Sequence, residues 1–413
     1  MLTRITFSIL LVLIVSISIR SALAATSPEE RFDRDALESR FSSDVFGYTH
    51  RDGFQSRYGY RIPVALATNN DTVLAFIERR NGLGDHAHND IVLRRSEDGG
   101  RSWGDVIVIA DEGDRCLCNP CAVLIPESGR VLMMYQDYAP DRHSVDIPHQ
   151  RVKKVEPGFE GDDIVRTYLS HSDDDGKTWS VPRDVTSGTK RENIGAIGSG
   201  PGIGIVLSTG KHQGRIVMPY NESWYDENDL RHYNVYAAFS DDGGETWQVG
   251  EPAPFDKRYK GSGGEVQMVE LSDGSIMLNS RSSLGNFYRK TSVSVDGGVT
   301  WSPVIDEEQL PEPVCMGSIL RAKLPGEEDK HCLLFSCPAS KEARKQGTLY
   351  ASYDDGKTWS ESWVLEPNEF AYSSLVQFSD GSIGCFYESK DYRRMIFTRF
   401  PIEHFFRNAV ESE

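Results

Sequence analysis

Short apolar runs broken by turn residues dominate the chain, and six stretches share one two-strand design. Three of them are 64–78 turning at Asn69-Asn70-Asp71, 122–135 turning at Ser128-Gly129, and 205–220 turning near Gly210. The others are 266–279 turning at Asp273-Gly274, 318–337 at Pro325-Gly326, and 375–387 at Asp380-Gly381. Asp-Gly and Ser-Gly between apolar runs are hairpin signals, because glycine supplies the positive φ that tight two-strand turns require. Two of the hairpins nearly quote each other, VELSDGSIML against VQFSDGSIGC. No long helical periodicity lies between the hairpins, so the pattern predicts an all-β chain.

Each of the first five hairpins is followed by a third strand, such as 90–95 or 348–352, that runs into one octapeptide of pattern SxDxGx[ST]W. Its five copies begin at Ser96, Ser172, Ser240, Ser294 and Ser352, a repeat spacing that marks a stacked or radial architecture. The residue types are those of a tight turn: hydroxyl and carboxylate oxygens accept backbone N–H bonds, glycine relieves the backbone, and tryptophan buries a ring. Five copies of one turn read as a structural marker, since a catalytic centre has no use for five repeats. Asp173-Asp174-Asp175-Gly176 lacks the later Glu of a calcium loop and is set aside. Six units of three to four strands predict a six-bladed β-propeller, with 394–400 as a closing strand.

Composition adds the compartment and removes some partners. Met1–Ala24 carries Arg4, an apolar run and a small-residue cleavage site, which predicts a signal peptide and hence a secreted or periplasmic protein. The run is too short for a stable membrane span. Ser27-Pro28-Glu29-Glu30 has the spacing of a capping box, so a short charged helix is expected from Ser27 to about Phe41. The expected domains are thus 1–24 signal peptide, 25–44 helical or linking segment, 45–405 propeller and 406–413 tail. A net charge of −17 without a basic stripe argues against nucleic acid. Seven cysteines, an odd number, leave at least one without an internal partner, and Cys116, Cys118 and Cys121 have no second cluster at zinc spacing. Asn70-Asp71-Thr72 and Asn221-Glu222-Ser223 match the glycosylation acceptor pattern. Gly198–Ile203 lacks the following helix that a nucleotide-binding loop needs.

The topology says where chemistry can sit. Within a hairpin the start of the first strand and the end of the second share one end, and the octapeptides face the other way. Reading those mouths gives Arg61, Arg80 and Asp85 in blade one, Glu265 and Arg281 in blade four, Arg344 in blade five, and Tyr372 and Glu388 in blade six. Asp90 and His86 are candidates for the same position as Asp85, and Lys345 adjoins Arg344. Any one of these arginines suits a solvated surface. Converging guanidinium forks, however, suit a small carboxylate or phosphate.

The ordered set resembles the retaining exo-α-sialidases of the Asp-box propeller type. Tyr60-Arg61-Ile62-Pro63 resembles their [FY]RIP motif, and Glu78-Arg79-Arg80, Asp85 and the run Ile91–Ser96 resemble the stretch bearing the catalytic Asp. Gly264-Glu265-Val266-Gln267 with Arg281, then Arg344, Tyr372 and Phe386-Tyr387-Glu388, complete the likeness over 60–400. The resemblance implies Asp85 as acid/base, Tyr372 as nucleophile with Glu265 as its partner, and Arg61, Arg281 and Arg344 as a carboxylate-binding triad. Arg80 is then a neighbouring pocket residue and Glu388 the brace of Arg61. It further implies sialylated glycoproteins, glycolipids or oligosaccharides as substrates and no metal or organic cofactor. Related expectations at the same site are transfer of sialic acid to a sugar, action on a related 2-keto sugar acid, or binding without catalysis. The Cys116–Cys121 cluster stands outside the family pattern.

Overall fold

The computed structural model describes residues 40–47, 59–81, 84–256, 261–283, 286–324 and 327–402. The expected signal peptide, the tail and nearly all of the expected charged helix lie outside these residues. Phe41–Asp44, at the end of the expected linking segment, is a strand that pairs antiparallel with Arg394–Phe400. The propeller therefore takes in residues just before position 45, and the N-terminal segment supplies the outermost strand of the last blade.

Six antiparallel blades follow in chain order. Blade one is Gly59–Ala67, Val73–Arg80, Asn89–Ser96 and Ile107–Ala110, and blade two begins with Cys116–Ile125, Arg130–Tyr138 and Arg166–Ser172. Blade three is built on Ile216–Tyr225 and Arg231–Ser240, with its innermost strand divided into Ala196–Ser199 and Ile205–Val206. Blade four runs through Val266–Glu270, Ile276–Ser280 and Tyr288–Ser294, and blade five through Ser318–Leu324, Glu327–Pro338 and Lys345–Ser352. Glu361–Gln377 is one strand serving two blades: its first half edges blade five and its second half opens blade six, followed by Ile383–Ser389. Tyr372, expected ahead of a strand, lies inside this one. The innermost strands touch their neighbours all the way round, and Glu361–Gln377 meets Gly59–Ala67 to close the ring.

Why the blades stack is visible in the core. Six apolar clusters each join two adjacent blades. Along Gly59–Ala67, Val64 and Leu66 pack toward blade two while Ala65, between them, packs toward blade six. Both faces of an inner strand are therefore dry, and burial of apolar area on each side holds neighbouring blades together. All seven cysteines are buried and unpaired, so no disulfide among them supports the fold.

The five octapeptides form one hydrogen-bonded turn repeated. In each, the first Ser oxygen accepts the glycine N–H four residues on, at 2.7–2.9 Å. The Asp accepts the backbone N–H of the following Ser or Thr at 2.8–2.9 Å and its hydroxyl at 2.5–2.8 Å. Burial, the largest single influence, raises the carboxyls of Asp98, Asp174 and Asp242, but these hydroxyl and backbone donors together outweigh it and hold each at about 2. A carboxyl depressed in the fold stabilises it fully above its unfolded value, ~3.9, and loses that contribution as pH falls through the folded value. The urea midpoint should hence be flat at neutral pH and fall between about pH 4 and 2. Asp242→Asn should lower the neutral plateau and make the acid fall shallower, both read from urea titrations across pH.

Candidate active site

Three inner strands bulge where they reach the mouth of the ring. The register shifts between Arg61 and Val64, between Cys118 and Cys121, and between Phe370 and Ser373. A bulge re-aims side chains that a regular ladder would alternate. At the first, Ile62 takes φ 65°, a conformation a β-branched residue adopts only when its surroundings compel it.

The compelling group is Glu388. Its fully buried carboxylate accepts Arg61 Nε at 2.6 Å, Arg61 Nη2 at 3.3 Å and the Ile62 N–H at 3.0 Å. It also accepts the Tyr372 N–H at 3.2 Å. One carboxylate thus fixes both bulges across the junction of first and last blades. Burial works against the Arg61 charge, but Glu388 more than offsets it and the guanidinium stays protonated.

Seven of the eight residues expected from the sequence, Arg61, Arg80, Asp85, Glu265, Arg281, Arg344 and Tyr372, line one cavity of about 350 Å³, with Glu388 immediately behind. Tyr372 is its centre. Its hydroxyl lies 2.6 Å from both Glu265 carboxylate oxygens and accepts a bond from Arg281 Nη1 at 2.6 Å. Arg281 Nη1 also donates to Glu265 Oε2. The guanidinium carbons of Arg61 and Arg344 stand 5.4 Å and 5.3 Å from the Tyr372 ring centre. All three arginines of the set therefore meet at one phenol. Burial pushes that phenol well above its ordinary value, Arg281 opposes the rise and Glu265 adds to it, so the hydroxyl is neutral at rest.

Arg344 differs from its two companions. It donates to the Tyr392 hydroxyl at 3.2 Å and the Val314 carbonyl at 2.8 Å, and has no carboxylate partner among the described residues. Lys345, next to it, does not line the cavity.

Asp85 stands on the open side, its side chain 66% exposed, and accepts Arg80 Nη1 at 2.7 Å. The cavity wall raises its carboxyl, while Arg80, and less strongly Arg61 and His143, bring it below the ordinary value. Arg80 is held from beneath by fully buried Glu78 at 2.7 Å, which also accepts the Asn119 N–H at 2.7 Å. Asp90 instead pairs with Arg79 at 2.7 Å, and neither Asp90 nor His86 lines the cavity.

Blades two and three supply a sector that the sequence reading left out of the site, including Tyr138, His143, Asn221, Ser223, Arg231 and Tyr233. Burial is the main force lowering the His143 imidazole, to about 4, so it is neutral at pH 7. Tyr138 and Arg231 obey the same mouth rule, at the end of a second strand and the start of a third, and could have been found by applying it to every blade. His143 sits on a long excursion after Tyr138 and carries no such signal. Asn221, an expected glycosylation acceptor, donates its amide to the Gly198 carbonyl at 3.1 Å beside the cavity.

Comparison with known proteins places this geometry in a family. Residues 71–385 match the BNR repeat-like domain. A sialidase of Micromonospora viridifaciens is 34% identical over 371 residues, which cover 85% of this chain and 52% of that protein. A sialidase of Bacteroides fragilis (strain YCH46) is 30% identical over 83% of this chain and 63% of that protein. The chain thus spans between about half and two-thirds of the length of these relatives. Among solved structures, the Hadza microbial sialidase Hz136 superposes with a TM-score of 0.73 at 27% identity, over 87% of this chain and 68% of that one. The chain therefore belongs to the BNR repeat-like family, and the relatives it resembles along most of its own length are sialidases.

Proposed function

We propose that this protein is an exo-α-sialidase, a glycoside hydrolase that removes terminal α-linked sialic acid from glycoconjugates with retention of configuration. The single observation that carries the reading is the Tyr372–Glu265–Arg281 contact at the floor of the arginine cluster. A binding module would need the arginines but has no use for a buried phenol held against a carboxylate.

The chemistry follows from charge. Sialic acid carries a carboxylate on its anomeric carbon, so an attacking carboxylate would approach a like charge, and a neutral phenol would not. A tyrosine nucleophile is the known exception to the two-carboxylate rule of glycosidases, and its assignment here is inherited from the family. In the proposed first step, Arg61, Arg281 and Arg344 hold the substrate carboxylate. Tyr372 oxygen bonds to the anomeric carbon as its proton passes to Glu265, and Asp85 donates a proton to the departing glycosidic oxygen. In the second step Asp85 removes a proton from water, which displaces Tyr372. As Tyr372 leaves, Glu265 returns its proton to the phenol oxygen, and the Arg281 bond stabilises the negative charge that develops on that oxygen. An expected signal peptide would deliver the enzyme outside the cytoplasm, where sialylated glycans are exposed, and we include export in the proposal.

The test is turnover of an aryl α-sialoside and of a sialyl-oligosaccharide, with the first-formed anomer followed by proton NMR. The parent should release the α-anomer first, and Tyr372→Phe should lose that retaining reaction. Sialoside binding by the parent without turnover would leave only a binding module. Asp85→Ala should cost about 10²–10⁴-fold on the oligosaccharide and far less on the aryl sialoside, whose leaving group needs little protonation.

The pH profile offers a separate check. Asp85 must be protonated to act as the acid, and Arg80 favours its deprotonated form. Removing that charge in Arg80→Gln should raise the Asp85 value and move the alkaline limb of kcat to higher pH. A limb that stays in place, or moves down, rejects Asp85 as the acid.

A further inference from the structure

The strand Arg130–Tyr138 presents alternate side chains to two different cavities. Tyr138 lines the active-site cavity, whereas Tyr135 and Asp137, on the opposite face, line a second cavity of about 360 Å³. It lies toward blade one, and the proposed reaction uses none of its residues.

Two stacked tyrosines form its wall. The rings of Tyr135 and Tyr168 are 6.0 Å apart at 24°. Tyr135 is only 1% exposed, yet its hydroxyl opens onto the cavity with no hydrogen-bond partner among the described residues. With no internal partner, that hydroxyl can both donate to and accept from a ligand group in the cavity. Glu112 and Asp162 bring carboxylates to the same cavity without an ion-pair partner among the described residues.

The donors around these acceptors are already fixed. Arg115 Nε donates to Asp137 at 2.5 Å, while Arg166 donates to Asp184 at 3.0 Å and to the Gly161 carbonyl at 3.1 Å. An aromatic face suits the C–H face of a pyranose ring, and a mixed fence of carboxylates and guanidinium N–H groups suits hydroxyls, which both donate and accept. The lining carries three carboxylates, from Glu112, Asp137 and Asp162, against two guanidiniums, from Arg115 and Arg166. Its charge balance disfavours an acidic sugar.

We propose that this cavity is a second, non-catalytic carbohydrate site, selective for a neutral hexopyranose, on the far face of the strand that borders the active site. The proposal requires none of the arginine cluster and stands apart from the hydrolytic reading. It would let the protein hold the uncharged part of a glycan beside the active-site rim.

The experiment is titration of the full chain with lactose, and separately with glucosamine, followed by saturation-transfer NMR. Lactose should bind with a Kd on the order of millimolar. Tyr168→Ala should weaken it about tenfold through loss of the aromatic face. Tyr168→Phe, which keeps that face, should bind as the parent does and shows that the site tolerates substitution without unfolding. Tyr135→Phe should weaken binding by loss of the free hydroxyl. The proposal is overturned if lactose shows no transfer at its highest soluble concentration, if binding is unchanged in Tyr168→Ala, or if glucosamine binds and lactose does not.

Discussion

A single buried carboxylate, Glu388, connects the fold to the site. It sits at the end of the second strand of the last blade and bonds to Arg61 in the first blade and to the backbone at Ile62 and Tyr372. The ring is closed there by inter-blade packing, and the same junction sets the direction of one arginine and of the phenol. Removing one partner of a buried ion pair costs about 3–5 kcal/mol, because the other charge is left stranded in low dielectric. The strained φ at Ile62 persists because this bond network over-determines it. Geometry at the cavity is therefore a property of the closed ring and cannot be assembled by one blade alone.

That dependence explains which features were legible in sequence. The hairpins were readable because their turns are chemically demanding: Asp273-Gly274 and Asp380-Gly381 turn where expected. The five octapeptides were readable because each makes its bonds within itself. The boundaries of inner strands were not, because both faces of such a strand are buried against neighbouring blades and simple alternation disappears. Glu361–Gln377 is the clearest case, since its outer half and its inner half obey the demands of two different blades. Phe41–Asp44 was hidden for another reason: its strand partner among the described residues, Arg394–Phe400, lies at the other end of the chain.

The site was legible as a list of residues and illegible as geometry. The mouth rule and the family likeness named Arg61, Arg281, Arg344 and Tyr372, but nothing in their spacing says that three arginines meet one ring. Their meeting depends on bulges at Arg61 and Tyr372, and a bulge is one extra residue whose signal is lost among ordinary strand residues. Glu78 was equally silent. It precedes Arg80 by two residues, and only the folded strand shows it buried beneath that guanidinium.

Charge pairing gives these arginines unequal parts. Arg61 faces Glu388, Arg80 faces Glu78 and Asp85, and Arg281 faces Glu265, so each of those positive charges is already compensated by protein. Arg344 bonds to the neutral oxygens of Tyr392 and Val314 and has no carboxylate bonded to it among the described residues, with Glu265 acting on it only through space. An arriving carboxylate about 4 Å from such a charge gains about 4 kcal/mol where the effective dielectric is near 20. At the compensated arginines the gain is partly cancelled by the resident carboxylates, and their contribution lies more in direction than in attraction. Glu265 contacts both Arg281 and the Tyr372 hydroxyl, and in the proposed reaction it takes the Tyr372 proton. In that proposed step, protonation of Glu265 would free Arg281 from its internal partner as the anomeric carbon develops positive charge and the substrate carboxylate must be held. The bond triangle that holds the buried phenol in place at rest would thus, in the proposed reaction, strengthen the grip on the substrate as the phenol reacts.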